Sequence, residues 1–507
     1  MPIQHKYKPH HLVLAIALAA GCAEFSLAQQ LEPQVDADVK PTKTRKKATK
    51  PVAPPGSVFE EATVGASALK VEATATPSNA GMNVVVLPGN HAQSTVQTVL
   101  NTGNVEDEFG QVTSNLAFMT PEASYNDTQV ALTRNDVPLE TVATSASAQA
   151  LARSVDTPKT VIANAAIGAL LASNKANASI AIEQLAASSN ANLAKATLSS
   201  VSPVSASMLS AMRQLDNGTG TFSDKAPRLA TGSENSSRVW LQALGNGGKV
   251  ESDFDNTLKH STQGLVLGAD WRLDEQWQVG VMGGKSQTKL EARQFDGDLD
   301  SWHLGAYALR QDGPLVLRLG ATYASHEGSS KRRVAFNGFN DRLKGSYDAN
   351  TQQAFAEAGF NLGRNNVTVE PFASVGYQRY QRDNHTEKGG DAALKVYGQT
   401  QDNFSSTFGL RAAKLNSLDN GMRLTPRVSA GWKHIYGELG SETRQQLVKG
   451  GKRFDIAGAA FDRDSLSLDA GLDLGLSANH TLGVGLTGEI GSDSRSHGVM
   501  GQWRIAF

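Results

Sequence analysis

The sequence predicts an all-β protein: a 12-stranded antiparallel transmembrane β-barrel, preceded by an Ala/Ser-rich helical linker and a short N-terminal segment that is β-helix-like or disordered. Three observations carry this reading. From Asp464 to Phe507, Leu466, Leu468, Ala470, Leu472, Leu474 and Leu476 fall on every second position, and Leu482, Val484, Leu486, Trp503, Ile505 and Phe507 continue the pattern. Such alternation marks strands with one apolar and one polar face. The polar face is Gly, Ser and Asp, too small and hydrophilic for a packed core and suited to a water-filled interior with lipid outside. Connections also alternate in length. Those near Asp274, Gln311, Gly363, Ser417 and Asn479 are tight, while Asn246–Ser261, Glu327–Ser346, Arg382–Gln401 and Glu438–Arg463 read as long polar loops. A barrel with short periplasmic turns and longer outer loops shows that pattern.

Taken in order, residues 1–28 read as a cleaved signal peptide. Lys6 and Lys8 precede the apolar run Leu12–Ala20, and Ser26-Leu27-Ala28 offers a small-residue site for cleavage between Ala28 and Gln29. The single cysteine, Cys22, lies in this segment, and Ala19-Ala20-Gly21-Cys22 also resembles a lipidation signal with Ala where Leu is usual. Residues 29–60 hold KPTKTRKKATKPVAPPG and cannot bury enough apolar surface to offset ordering entropy, so a disordered arm is expected. Residues 61–136 carry short β-like runs such as Asn83–Leu87 and Gln129–Thr133, readable as a few β-helix rungs. Residues 137–236 turn Ala/Ser-rich with a helical period. Their clearest helix is 204–215, with Ser202 as cap, Pro203 in the first turn, Val204, Met208, Leu209, Met212 and Leu215 on one face, and Ser205, Ser207 and Ser210 able to meet polar lumen residues. Alternating segments then begin near Arg238, Thr262, Trp277, Leu299, Gly313, Tyr347, Asn366, Asp402, Gly421, Asp464, His480 and Gly498, filling 237–507. All six tryptophans lie in or beside these segments, where aromatic girdles sit.

Composition removes several functions. Lys+Arg 48 against Asp+Glu 49 leaves no electrostatic case for nucleic acid. No run of eighteen apolar residues is present, so no transmembrane helix is expected. No G-x-S-x-G elbow, H-E-x-x-H pair or phosphate loop occurs, and Gly280–Ser286 lacks the required first Gly. Ser286 and Lys289 match S-x-x-K, but on a strand they do not share a face as on a helix. Phe295–Asp300, FDGDLD, reads as a solvated outer loop without the distal Glu of a calcium loop. The eleven histidines have no ligand spacing. No catalytic residue, cofactor or metal site is expected.

The chain resembles the autotransporter (type Va secretion) family from about Ser237 to Phe507, through VWLQALG, GLVLGADWRL, SWHLGAYA, VAFNGFNDRLKGSYDANTQQAFAEAGF, VEPFASVGY and TFGLRAA. Phe109–Asp136 resembles the end of an autotransporter passenger, and Val204–Leu215 the helical stretch before the barrel. The resemblance implies an outer-membrane translocator of a Gram-negative bacterium that exports and anchors its own short N-terminal passenger at the cell surface. It implies the Sec translocon and the barrel-assembly machinery as partners in biogenesis, outer-membrane lipid and lipopolysaccharide as surroundings, and a monomeric barrel. Trp503, Ile505 and Phe507 would be its C-terminal assembly signal, with Gln502 where the family usually carries Gly. The helix Pro203–Leu215 would stay in the lumen after export. Two other readings stay open: a pore for solutes, and a surface enzyme or adhesin with its activity in the passenger.

Overall fold

The computed structural model describes residues 116–118 and 137–507, except 156–162, 217–236, 252–256, 364–365 and 420, and gives the backbone alone for six short strands between 69 and 136. The expected cleavage site at Ala28 and Gln29, Cys22 and the basic arm lie outside the described residues.

Twelve strands form the barrel: β1 (Ser237–Val250), β2 (Leu258–Arg272), β3 (Trp277–Ala292), β4 (Phe295–Asp312), β5 (Leu315–Phe336), β6 (Phe339–Phe360), β7 (Val367–Arg382), β8 (Gln399–Lys414), β9 (Arg423–Tyr436), β10 (Asp464–Gly475), β11 (His480–Ile490) and β12 (Ser494–Ala506). Each pairs antiparallel with its sequence neighbour, and β12 closes on β1 from Ser494↔Val250 to Ala506↔Arg238. Closure leaves no open edge, so every backbone group in lipid finds a partner. Leu466, Leu468, Leu472, Val484, Leu486 and Trp503 point outward and are exposed, as the alternation requires. Trp240 does the opposite. It is fully buried in the lumen, so it is no girdle residue.

Three expected outer loops are structured instead. The stretch expected as an open loop, Glu327–Ser346, is the end of a continuous β5–β6 hairpin. Asn337 (φ 44°) and Gly338 (φ 79°) turn it in two residues, with Phe336 opposite Phe339. Both turn residues take the left-handed conformation that Asn-Gly tolerates, and that turn matches strand twist. A strand of 22 residues spans roughly 70 Å against a hydrocarbon core of about 30 Å, so even tilted it stands far proud of the membrane. Within 382–401 and 438–463, His385–Thr386, Leu394–Val396, Glu442–Leu447 and Phe454–Ala457 form a four-stranded sheet above the mouth.

On that sheet lie three helices, α1 (Ala146–Ser154), α2 (Ala165–Leu171) and α3 (Lys175–Ala186). Leu151, Ile167, Leu170, Ile182 and Leu185 are wholly buried in one core with Val334, Phe336, Leu343, Leu394, Val396, Leu447, Phe454 and Ile456 of the barrel's outer extensions. We call this unit the cap. The last helix, α4 (Leu193–Asp216), descends from it into the barrel. Of the short strands before residue 137, Leu69–Ala73 with Gly81–Val86, Val96–Asn101 with Gln129–Asp136, and Met119–Asn126 with Gln129–Asp136 pair antiparallel. Only Gly81–Val86 with Gln111–Ser114 is parallel. One of these four pairings is thus parallel, as stacked β-helix rungs would be, and three are antiparallel.

Candidate functional site in the barrel lumen

The site is the lumen and the helix in it. α4 has 24 residues, roughly 36 Å at 1.5 Å per residue, which exceeds the hydrocarbon thickness. The helix therefore begins well before the expected Ser202 cap. Ser202 is interior, its Oγ donating to the Leu198 carbonyl at 3.1 Å, and Pro203 sits mid-helix. Proline deprives the Ser199 carbonyl of its usual donor. Ser199, Ser202 and Pro203 all line the polar cavity beside the helix, where that carbonyl can be solvated.

The apolar face of α4 packs against the β1–β6 side of the wall. Val204, Met208, Ala211 and Met212 are buried with Trp240, Leu244, Val266, Met282, Tyr307, Leu309 and Val316, and Leu215 packs against this group. The helix comes this close because two wall residues lack a Cβ. A methyl at Gly305 would lie 2.7 Å from Met208 Cε, and one at Gly320 2.6 Å from its Sδ.

Three charged clusters ring the lower half of the helix. In the first, Arg318 (β5) reaches Glu357 Oε1 (β6) at 3.0 Å and Glu370 Oε1 (β7) at 2.8 Å, and Arg411 (β8) meets the same two carboxylates at 2.8 and 3.1 Å. From the helix, Arg213 adds a contact to Glu357 at 3.4 Å. In the second, Arg238 (β1) grips Asp270 (β2) through two nitrogens at 3.0 and 2.6 Å and donates to the Ala211 carbonyl at 2.9 Å. Trp240 Nε1 donates to the Tyr307 hydroxyl, which donates to Asp270, both at 2.8 Å. In the third, Asp473 (β10) accepts from Gln502 (β12) at 2.8 Å and faces Arg427 (β9) at 3.4 Å and Arg504 (β12) at 3.6 Å. Gln502 thus has a structural use that glycine lacks there. Removing one partner from such a buried set strands a charge, at about 3–5 kcal/mol.

Besides the Arg213–Glu357 and Arg238–Ala211 contacts, further polar contacts join the helix to the wall. Ser205 donates to Gln353, Gln242 Nε2 donates to the Ser207 carbonyl at 3.5 Å, and Arg427 donates to Ser210 Oγ at 3.4 Å. On the β9–β12 side a cavity of about 290 Å³ remains between α4 and the wall. Asp469, Lys433 and Glu489 of the wall line it.

Trp503 and Phe507 are exposed on the outer surface, and Ile505 lies on the same face, half-buried. Backbone bonds of 3.1 and 3.0 Å tie Phe507 to Ser237 and so lock the last residue to the first strand. The FDGDLD carboxylates are exposed on the outer extension of β4, in a strand and not a loop. Among the described residues no group of three or more acidic, His or Cys side chains could hold a metal. The lumen clusters escaped sequence reasoning because their members come from separate strands and share no spacing.

The autotransporter beta-domain family model matches residues 239–487. An extracellular serine protease of Serratia marcescens is 29% identical over 454 residues, covering 82% of this chain and 43% of that protein. Esterase EstA of Pseudomonas aeruginosa is 28% identical over 170 residues, 31% of this chain and 26% of the esterase. This chain thus spans less than half the length of these curated relatives. Among solved structures, the translocator domain of the autotransporter NalP from Neisseria meningitidis is 15% identical with a TM-score of 0.48, covering 61% of this chain and 98% of that one.

Proposed function

Since this chain is a member of the autotransporter family, with its β-domain over residues 239–487 and its barrel in a Gram-negative outer membrane, we propose that the barrel exports and anchors the residues before α4. The observation that carries this is the course of α4. Its first residues pack at the mouth, where Lys195 donates to the Ala460 carbonyl at 2.5 Å. Its last turn lies by Glu357, three residues from the end of β6. The chain therefore crosses the lumen once, and residues 137–155 and 163–192 lie on the side opposite the start of β1. A helix is the economical form for that crossing, because it satisfies its own backbone groups.

Residues Pro203, Val204, Ser205, Ser207, Met208, Ser210 and Leu215 serve in this reading as the segment left in the lumen, and Trp503, Ile505 and Phe507 as the end that completes barrel assembly. We take the Sec translocon and the barrel-assembly machinery as its biogenesis partners and lipopolysaccharide as its outer-leaflet surroundings. We read the chain as non-enzymatic, because its sequence lacks the nucleophile motifs of hydrolases; the protease and esterase names belong to longer proteins. The cavity beside α4 favours one second reading, slow passage of small solutes past the helix. The test is an epitope at Lys175–Asn177, which is exposed at the start of α3. Antibody should label it on intact cells. Labelling only after permeabilisation overturns the proposal.

A further inference from the structure

We propose that the outward face of the β5–β6 hairpin is a binding site for the anionic saccharide of lipopolysaccharide, through phosphate or carboxylate groups carried well above the lipid headgroup. This rests on the outer-membrane reading above, in which that glycolipid is the barrel's neighbour. One face of β5 runs from lipid into water. Leu315 and Tyr323 are exposed on it and bound its apolar stretch. The same face then turns to charge, with Glu327, Lys331 and Arg333 all exposed. Arg332 and Val334, on the opposite face, are buried under the cap. Whatever stands on the lipid beside the lower part of the strand therefore meets its upper part from the side.

The charges are sorted by height. A tyrosine at the edge of the apolar band sits at headgroup level. At about 3.4 Å per residue and a tilt near 40°, Glu327 stands roughly 10 Å above Tyr323, and Lys331 and Arg333 about 20–25 Å above it. The lower row is acidic, with Asp300, Glu327 and Asp348 side by side on three strands. The upper rows are basic. Lys331 lies opposite Lys344, which exchanges two backbone bonds of 2.8 Å with Lys388, and Arg333 lies opposite Arg342. One carboxylate, Asp296, borders the set on the far side of Lys331. Among the described residues, none of these five cations makes an ion pair. Like charges directly opposite on paired strands are destabilising, so cations grouped in this way call for an anion between them. The acidic row repels phosphate held close to the hydrocarbon, as in a phospholipid. The basic rows attract it only when it is carried farther out on a saccharide. The face thus selects a glycolipid by the height of its charge. A saccharide bound there holds the hairpin, and with it the cap packed on its other face, against the outer leaflet.

The test uses the full-length protein in detergent with lipopolysaccharide of complete core, the same glycolipid cut back to lipid A, and heparin as a soluble acidic polymer. The parent should bind the complete form about tenfold or more tighter than lipid A, by a margin that shrinks as salt is raised. A variant carrying Lys331→Gln, Arg333→Gln, Arg342→Gln and Lys344→Gln should lose that margin while binding lipid A as the parent does. Without glycolipid it should unfold in urea no earlier than the parent, because its like-charge pairs are gone. Earlier unfolding would make the set structural and overturn the site. Equal binding of the two glycolipids by the parent, or an unchanged margin in the variant, overturns it as well. Heparin binding tighter than the complete glycolipid assigns the face to a soluble polymer instead. A parent absent from the outer-membrane fraction overturns the outer-membrane reading itself, whatever the binding shows.

Discussion

Two consecutive stretches of chain are held in different ways within one molecule. In the cap, α1–α3 share an apolar core with the barrel and have helix ends capped by it. In the lumen, α4 rests one face on the wall and leaves a polar cavity along the other side. The wall's strong ion pairs are mostly made with one another, strand to strand. A conduit that must let many sequences pass is best built with its charges satisfied within the wall. A terminus that must not slip back is best built from burial. The contrast makes the lumen a track and the cap a stop.

The largest effect that could break this contrast is at Asp473. A lumen-facing aspartate read from alternation alone is a tolerant site, with substitution expected to cost less than at the lipid-facing neighbour Leu474. The structure reverses that order. Asp473 pairs with both Arg427 and Arg504. Asp473→Arg should destabilise the barrel by about 3–5 kcal/mol, through three clustered guanidinium groups. Leu474 lies one residue from the periplasmic end of β10, where an arginine facing lipid, as in Leu474→Arg, should cost about 0–1 kcal/mol. Heat-resistant migration and urea unfolding of the two variants give the ranking, and a milder Asp473→Arg would mean the wall does not hold its charges as described.

Met208→Ala comes next, at about 2–4 kcal/mol of helix seating, since it empties the contact between α4 and the glycines of β4 and β5. It should raise protease cleavage within 193–216 while leaving the 175–177 epitope on the surface. Loss of the epitope would mean that the lumen, and not the cap, retains the exported chain.

The smallest effect is acid, and in the cap it acts through His385. Burial, with Arg382 nearby, pushes the imidazole of His385 down to about 4. A histidine kept neutral when folded binds its proton more readily when unfolded. Its contribution is therefore complete above the ordinary value near 6.5 and is lost as pH falls from there through about 4, about 3 kcal/mol in all. The contact of Asp391 with the Ala165 amide weakens in the same direction, because its hydrogen bond from Lys449 holds its carboxyl below the usual value. Protease cleavage of α1–α3 should rise between pH 6 and 4 and be blunted in His385→Asn. A flat profile would remove His385 from the account.

Much of the barrel was legible in the sequence, because lipid outside and water inside impose period 2 on each strand. What was not legible depended on partners far away in the chain. Asn337-Gly338 is a strong local hairpin signal, yet the charged residues around it read as a loop until the register joined Lys331 to Lys344. Leu394–Val396 is too short to read as a strand without Glu442–Leu447 beside it. Pro203 read as a helix start because sequence cannot show that the wall and a solvated cavity support a proline in mid-helix. Trp240 looked like a girdle residue because alternation gives a face only once one strand is anchored, and here its partner is Tyr307 in the lumen.

The most direct test of the central claim is single-channel recording of the purified protein beside a variant lacking Pro203–Leu215. With α4 seated in the lumen, the intact barrel should conduct weakly through the cavity on the β9–β12 side, and the deletion should insert normally and open a several-fold larger conductance. Equal conductance from the two would mean that α4 does not occupy the lumen, and the account of a track below a stop would fall with it.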